Sequence, residues 1–334
     1  MKKNRIITLA ALATTFTLAA CGGGGGDSGS TTPTSSNNAG SSGGGGSTSN
    51  TVPGTLASPQ YAAGSAQLAA FNRLNQSRTQ CGFPTLQQNT VLDQAAQAHA
   101  QYQGVNGVVT DTEIASNQGF VGATYVDRAA HFGAPSSVFG TGVSAAYYTN
   151  ATLPDAQYGE NLVTTWLSGV YHGPAVLYPS RIVGIGVSKT TYNGFPDAWG
   201  SMSFLDTEAR SVSGAPLTFP CEGVTGVAYG ASGEIPAPPN VSASGWGTPV
   251  TVMGNLGDTV SLQSASVTGP SGAVAVQILN ADSDPNKVLG KYQAVAYPTT
   301  PLAPNTTYSV TITGTVNGTA FSRNFSFTTG NVVG

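Results

Sequence analysis

The sequence predicts an α+β chain in two parts, a helix-then-sheet domain followed by an all-β sandwich, and three observations carry that expectation. Apolar residues at helical spacing cluster early, between residues 65 and 104. Two strand-like runs, 181–190 and 198–205, flank the turn pair Asn193-Gly194. Beyond a Pro-rich stretch at 234–239, no helical period survives and short β-branched runs alternate with turns. Helices first and an antiparallel sheet later define α+β.

The elements follow in order. Leu68, Phe71, Leu74 and Arg78 recur at helical spacing and the run stops at Cys81-Gly82. Asn89 or Thr90 caps a second helix, with Leu92, Ala95, His99 and Tyr102 on one face and Gly104 as its end. A loop-rich middle leads to the two strands, the second carrying Trp199, Met202 and Phe204. After the Pro-rich stretch, strands are expected at 248–253, 274–279, 307–315 and 320–328, with Asn317-Gly318 as a hairpin turn. Roughly 95 such residues suit an immunoglobulin- or fibronectin-III-like sandwich.

The N-terminus reads as an export address. Lys2, Lys3 and Arg5 precede the uncharged run Ile6 to Ala20, about 15 residues where roughly 20 are needed to span a bilayer. Leu18-Ala19-Ala20-Cys21 then forms a lipobox pattern, in which Cys21 carries the lipid as the first mature residue. Residues 22 to about 57 are rich in Gly, Ser, Thr and Asn and cannot bury a core, so a disordered tether is expected. The expected organisation is a signal peptide at 1–20, a tether at 21–57, a first domain at 58–233, a linker at 234–239 and a β-sandwich at 240–334. An outer-membrane lipid anchor facing away from the cytoplasm is the expected location.

Composition narrows the partners. Charged residues make up only 8% and the formal net charge is −3, so no basic stripe exists to neutralise phosphates and nucleic acid is not expected. With Cys21 assigned to lipid, Cys81 and Cys221 remain, and two cysteines in an exported chain most simply form one disulfide. Such a bridge would tie the start of the first domain to its end and, in the chain-entropy model, stabilise by about 4–5 kcal/mol.

Several short motifs occur in a fixed order. They are Leu74-Asn75-Gln76-Ser77-Arg78 with Gly82-Phe83-Pro84-Thr85-Leu86, then Gln94 to Ala100, then Gly119 to Ala123 with Asp127-Arg128-Ala129. Tyr158-Gly159-Glu160-Asn161-Leu162, Trp166 six residues before His172, and Gly184-Ile185-Gly186-Val187 complete the series. Together they resemble the CAP superfamily, the SCP-like domains of cysteine-rich secretory proteins, antigen 5 and plant pathogenesis-related 1 proteins. The resemblance covers about half the chain and implies an α-β-α sandwich whose cleft is lined by two histidines and two acids able to hold a divalent ion. Carried over by position, Glu160 matches the "GEN" glutamate and His172 the second histidine. Asp111 stands where the first histidine is expected, with Glu113 close behind it, and no acid lies between Leu162 and Ser168 to fill the fourth place.

His172, Glu160 and Asp111 are thus the candidate ligands of a divalent cation, although no cofactor is required. One imidazole and two carboxylates favour harder ions than a two-histidine site would. His172 is equally readable as a helix-end histidine that holds the cleft in shape through Glu160. His99, on the apolar face of its helix, reads as a satisfied semi-buried side chain, and His131 matches no family position. Outside the low-complexity Gly/Ser segment, no G-x-S-x-G, S-x-x-K or H-E-x-x-H motif occurs. Three functions stay open: a non-catalytic module binding a lipid, peptide or glycan at the envelope; a metal-assisted hydrolase using Glu160 and His172; and a structural or adhesive surface protein.

Overall fold

A computed structural model describes residues 52–334; the signal segment, Cys21 and the tether up to residue 51 lie outside the described residues. Val52 is buried, and its carbonyl and that of Pro53 accept from the Asn89 side chain at 3.3 and 2.9 Å, so 52–57 belongs to the folded body rather than to the tether.

The first helix, α1 (Ala66–Gln80), starts at Ser65, whose hydroxyl accepts from Leu68 N. Its Asn75 and Arg78 then fasten the following loop. Asn75 exchanges two hydrogen bonds with the Leu86 backbone, at 2.8 and 3.2 Å. Arg78, fully buried, donates to the carbonyls of Pro84, Val176 and Tyr178. The spacing between the L-N-x-x-R and G-F-P-T-L segments is therefore the length of a hydrogen-bonded clip. A two-residue strand, β1 (Gln87–Gln88), leads to α2 (Thr90–Asn106), capped by Asn89. This helix runs through Gly104, the residue expected to end it, and closes instead at Gly107 in the left-handed region. A Cβ at Gly104 would come within 3.2 Å of Trp199, so glycine there makes room for the indole.

The expected loop-rich middle contains regular structure: α3 (Tyr125–His131), β2 (Phe139–Tyr148), α4 (Asp155–Leu167) and α5 (His172–Val176). The hairpin β3 (Ile182–Tyr192) and β4 (Phe195–Asp206) turns at Asn193-Gly194, both with positive φ as the sequence requires. The four strands order as β1-β3-β4-β2, with α2 packed on β3 and β4, and α1 and α4 packed together on the opposite face. Gly184 and Gly186, two apart on β3, face α2. A Cβ on either would lie 2.0–2.2 Å from the backbone of Leu92 or Ala96, so helix and strand meet backbone to backbone. Gly186→Ala is expected to cost about 3 kcal/mol by overpacking, read as a lowered urea midpoint; an unchanged midpoint would contradict so close a contact.

The remaining strands are β5 (Leu217–Phe219), β6 (Val224–Val227), β7 (Val250–Met253), β8 (Val260–Gly269), β9 (Gly272–Val274), β10 (Val276–Asn280), β11 (Gln293–Pro298), β12 (Thr307–Val316) and β13 (Thr319–Thr329). They form two sheets, β10-β11-β7-β5 and β6-β13-β12-β8-β9, with the Asn317-Gly318 hairpin in place. Strands β5 and β6 precede the expected boundary at 233, yet each belongs to a sandwich sheet. Their brevity, three and four residues, left no period to read. The Cys81–Cys221 disulfide forms as expected, but Cys221 sits between β5 and β6. It therefore joins α1 to the sandwich instead of closing the first domain on itself. One apolar core runs through both parts, from Phe71 and Trp166 to Val250 and Ile312.

Candidate functional site

The 234–239 stretch is a fixed strap. Glu234 is buried, and its carboxylate accepts from the backbone N–H groups of Val170, Tyr171 and His172 at 2.8, 2.9 and 2.8 Å. The same carboxylate meets His172 Nδ1 at 2.8 Å. Gly169 leaves the space: a Cβ there would lie 2.5 Å from Glu234 Oε1. The sandwich grips the rest of this turn. Trp246 Nε1 donates to Ser168 O, Tyr171 OH donates to Asp284, and Gln293 Nε2 donates to Pro174 O. The β-domain thus sets the position of His172.

With Nδ1 on Glu234, His172 keeps Nε2 without a hydrogen-bond partner among the described residues, on a side chain 18% exposed. Burial alone would lower its pKa, but the hydrogen bond and charge of Glu234, with Asp111 adding, raise it above the ordinary value of about 6.5. A histidine raised on folding contributes stability that is complete below its unfolded pKa and is lost as pH rises through the folded one. The wild-type unfolding free energy is therefore expected to fall as pH rises above the ordinary histidine value of about 6.5 and through the folded one, and His172→Gln to flatten that slope. Identical slopes for the two proteins would remove this ion pair as the cause.

The second group centres on His99. Its Nδ1 lies 2.8 Å from Glu113 Oε1, and its Nε2 lies 2.7 Å from Thr110 O and 3.2 Å from Ser144 Oγ. Glu113 Oε2 accepts from Val121 N at 2.8 Å, and Arg128 Nε stands 3.8 Å from Oε1. Burial pushes the Glu113 carboxyl up, but His99, Val121 N–H and Arg128 outweigh it and hold it below its ordinary range. The Glu113–His99–Ser144 order has the outline of a nucleophile triad. Thr110 O can only accept, however, so Nε2 carries a proton toward it and cannot take one from Ser144. Ser144, 1% exposed, also meets Tyr125 OH at 2.8 Å, and Tyr125 bonds Asp111 Oδ1 at 2.7 Å. The Arg128 guanidinium lies 4.4 Å from the Tyr125 ring centroid. These contacts form a buried clamp that ends at the exposed carboxylate of Asp111.

The sequence-derived set is therefore only partly assembled. Asp111 lies near enough to His172 for its charge to act on it. Glu113 is spent on His99 and Arg128. Glu160 does not join them: it is exposed on α4, in the same helix as the buried Trp166, and lines a separate groove against α1. Six helical residues place it and Trp166 on different faces. The acid partner of His172 is Glu234, 62 residues downstream. Among the described residues no three His, Cys, Asp or Glu side chains converge as a metal site requires. The donor set thus does not fit the divalent ion expected of His172, Glu160 and Asp111. Glu234 and Ser144 were missed because one lies in a Pro-rich segment and the other in a run of small residues; Glu234 carried the one available signal, an acid among prolines.

Helices on both faces of a four-stranded sheet form an α-β-α body, with His172 opening α5. Residues 71–202 match the family model described as CAP, the cysteine-rich secretory protein family, and the chain carries a CAP domain followed by all-β sheets. A comparison with curated proteins gives no match. Among solved structures, an outer surface protein from Borrelia burgdorferi is similar at 15% identity and a TM-score of 0.33, over 43% of this chain and 93% of its own. No helix among the described residues is long and apolar enough to cross a membrane.

Proposed function

We propose that this chain is a lipid-anchored envelope protein whose CAP cleft binds a small lipid, peptide or glycan ligand without turning it over. The observation that carries the reading is how the cleft spends its ionisable groups. Glu113 is occupied by His99 and Arg128, and Glu234 by His172, which leaves one imidazole nitrogen and Asp111 to meet a ligand. Such an arrangement recognises a polar group but offers neither an activated nucleophile nor a set of metal donors. The lipobox at Cys21 supports the anchor, and the disulfide supports an oxidising compartment.

The test uses purified protein with three probes: isolated peptidoglycan, phospholipid vesicles and a mixed peptide digest blocked at both termini, each with and without EDTA. Association with one probe is expected, unaffected by EDTA and weakened about tenfold or more by His172→Ala. Cleavage products that EDTA abolishes would establish the hydrolase instead. No association with any probe would favour a structural or adhesive role.

A further inference from the structure

We propose that the groove between α1 and α4 is a second binding site, for a short zwitterionic peptide, with Arg73 receiving its carboxylate and Glu160 its ammonium. The groove has a volume of about 620 Å³, in the range of small-ligand sites. Asn72, Arg73 and Gln76 project into it from α1, and Gln157, Glu160 and Asn161 from α4. The α4 residues fall at i, i+3 and i+4, so one helix face is committed to this wall. The helices are held together beside it at Gly159, where a Cβ would lie 2.0 Å from Ala66 O. Gly226 of β6 contributes from the sandwich.

The polar groups here are unspent. Among the described residues, neither Arg73 nor Glu160 has an ion-pair partner, although both line the same groove. A ligand that brings one carboxylate and one ammonium satisfies both through charge-assisted hydrogen bonds. The four amide side chains between them each offer two donors and an acceptor, the complement of peptide bonds. A neutral glycan would use the amides but neither charge, and an anionic lipid headgroup would meet Glu160 as a repulsive wall. The Tyr158-Gly159-Glu160-Asn161 motif thus divides its work: Tyr158 is core, Gly159 sets the helix approach, and Glu160 and Asn161 line the groove.

The experiment titrates the full chain with trialanine, N-acetyl-trialanine and trialanine amide, following backbone amide shifts by NMR. Trialanine is expected to perturb residues of α1 and α4, and each blocked form to bind about tenfold more weakly. Arg73→Gln should bind trialanine and its amide equally, whereas Glu160→Gln should no longer distinguish trialanine from its acetylated form. Both side chains are exposed or half-buried, so these variants keep the fold, with circular dichroism as the check. His172→Ala should leave trialanine binding unchanged, which separates this groove from the cleft. The proposal is overturned by the absence of trialanine binding up to about 10 mM, by blocked forms that bind as well as the free peptide, or by perturbation of α1 and α4 by chitotriose alone.

Discussion

Glu234→Ala is expected to destabilise the protein by about 4 kcal/mol, because it strips a buried acceptor from several donors at once. Three backbone N–H groups and His172 Nδ1 converge on this carboxylate. Each buried donor left unsatisfied costs about 1–3 kcal/mol, reduced where water can enter. Glu234→Gln keeps one acceptor oxygen but turns an NH2 toward N–H donors, so it should fall between alanine and wild type. Urea unfolding gives both values, and loss of a fixed His172 ring environment in the NMR spectrum should accompany them. A cost under about 1 kcal/mol for the alanine variant would mean that the strap does not hold the turn.

Glu113→Ala should be comparably severe, at about 3–5 kcal/mol, since it leaves the buried Arg128 guanidinium without its carboxylate and His99 without the partner of Nδ1. Both side chains of the Glu113–His99 pair are fully buried. The same carboxyl, held below its ordinary range, contributes stability above the unfolded value near 4.3 and loses it as pH falls through the folded one. Wild type should therefore lose stability in acid over a window that Glu113→Gln lacks. Acid unfolding curves that superimpose for the two proteins would assign that loss to other carboxylates.

Much of the fold was written in local pattern. The Asn75/Arg78 clip, the Gly184/Gly186 pair and the Asn193-Gly194 and Asn317-Gly318 turns each need particular residues at particular spacings, and those residues stood out. Strands β5, β6 and β9 were hidden because three or four residues hold no period. The α4 helix was masked by its own motif: Glu160 matched a family position by letters, but its place in a helix with Trp166 sends it to another surface. His172 could be found by its distance from Trp166. Its true partner could not, since Glu234 reaches it only through the strap between β6 and β7, a contact that no local spacing encodes. His99 read correctly as a satisfied residue, while its partners Glu113 and Ser144 depended on how a loop and a strand cross over α2.

The Cys81–Cys221 bridge also decides how the molecule carries tension. Along the covalent chain, a pull between α1 and the sandwich passes through the sulfur–sulfur bond and skips the backbone from Gly82 to Pro220. The sequence separation of 140 residues corresponds to about 480 Å of extended chain kept out of the line of force. While the bridge is intact, the covalent path of the load leaves out α2, the central sheet and the His172 turn; once it is reduced, their backbone becomes part of that path.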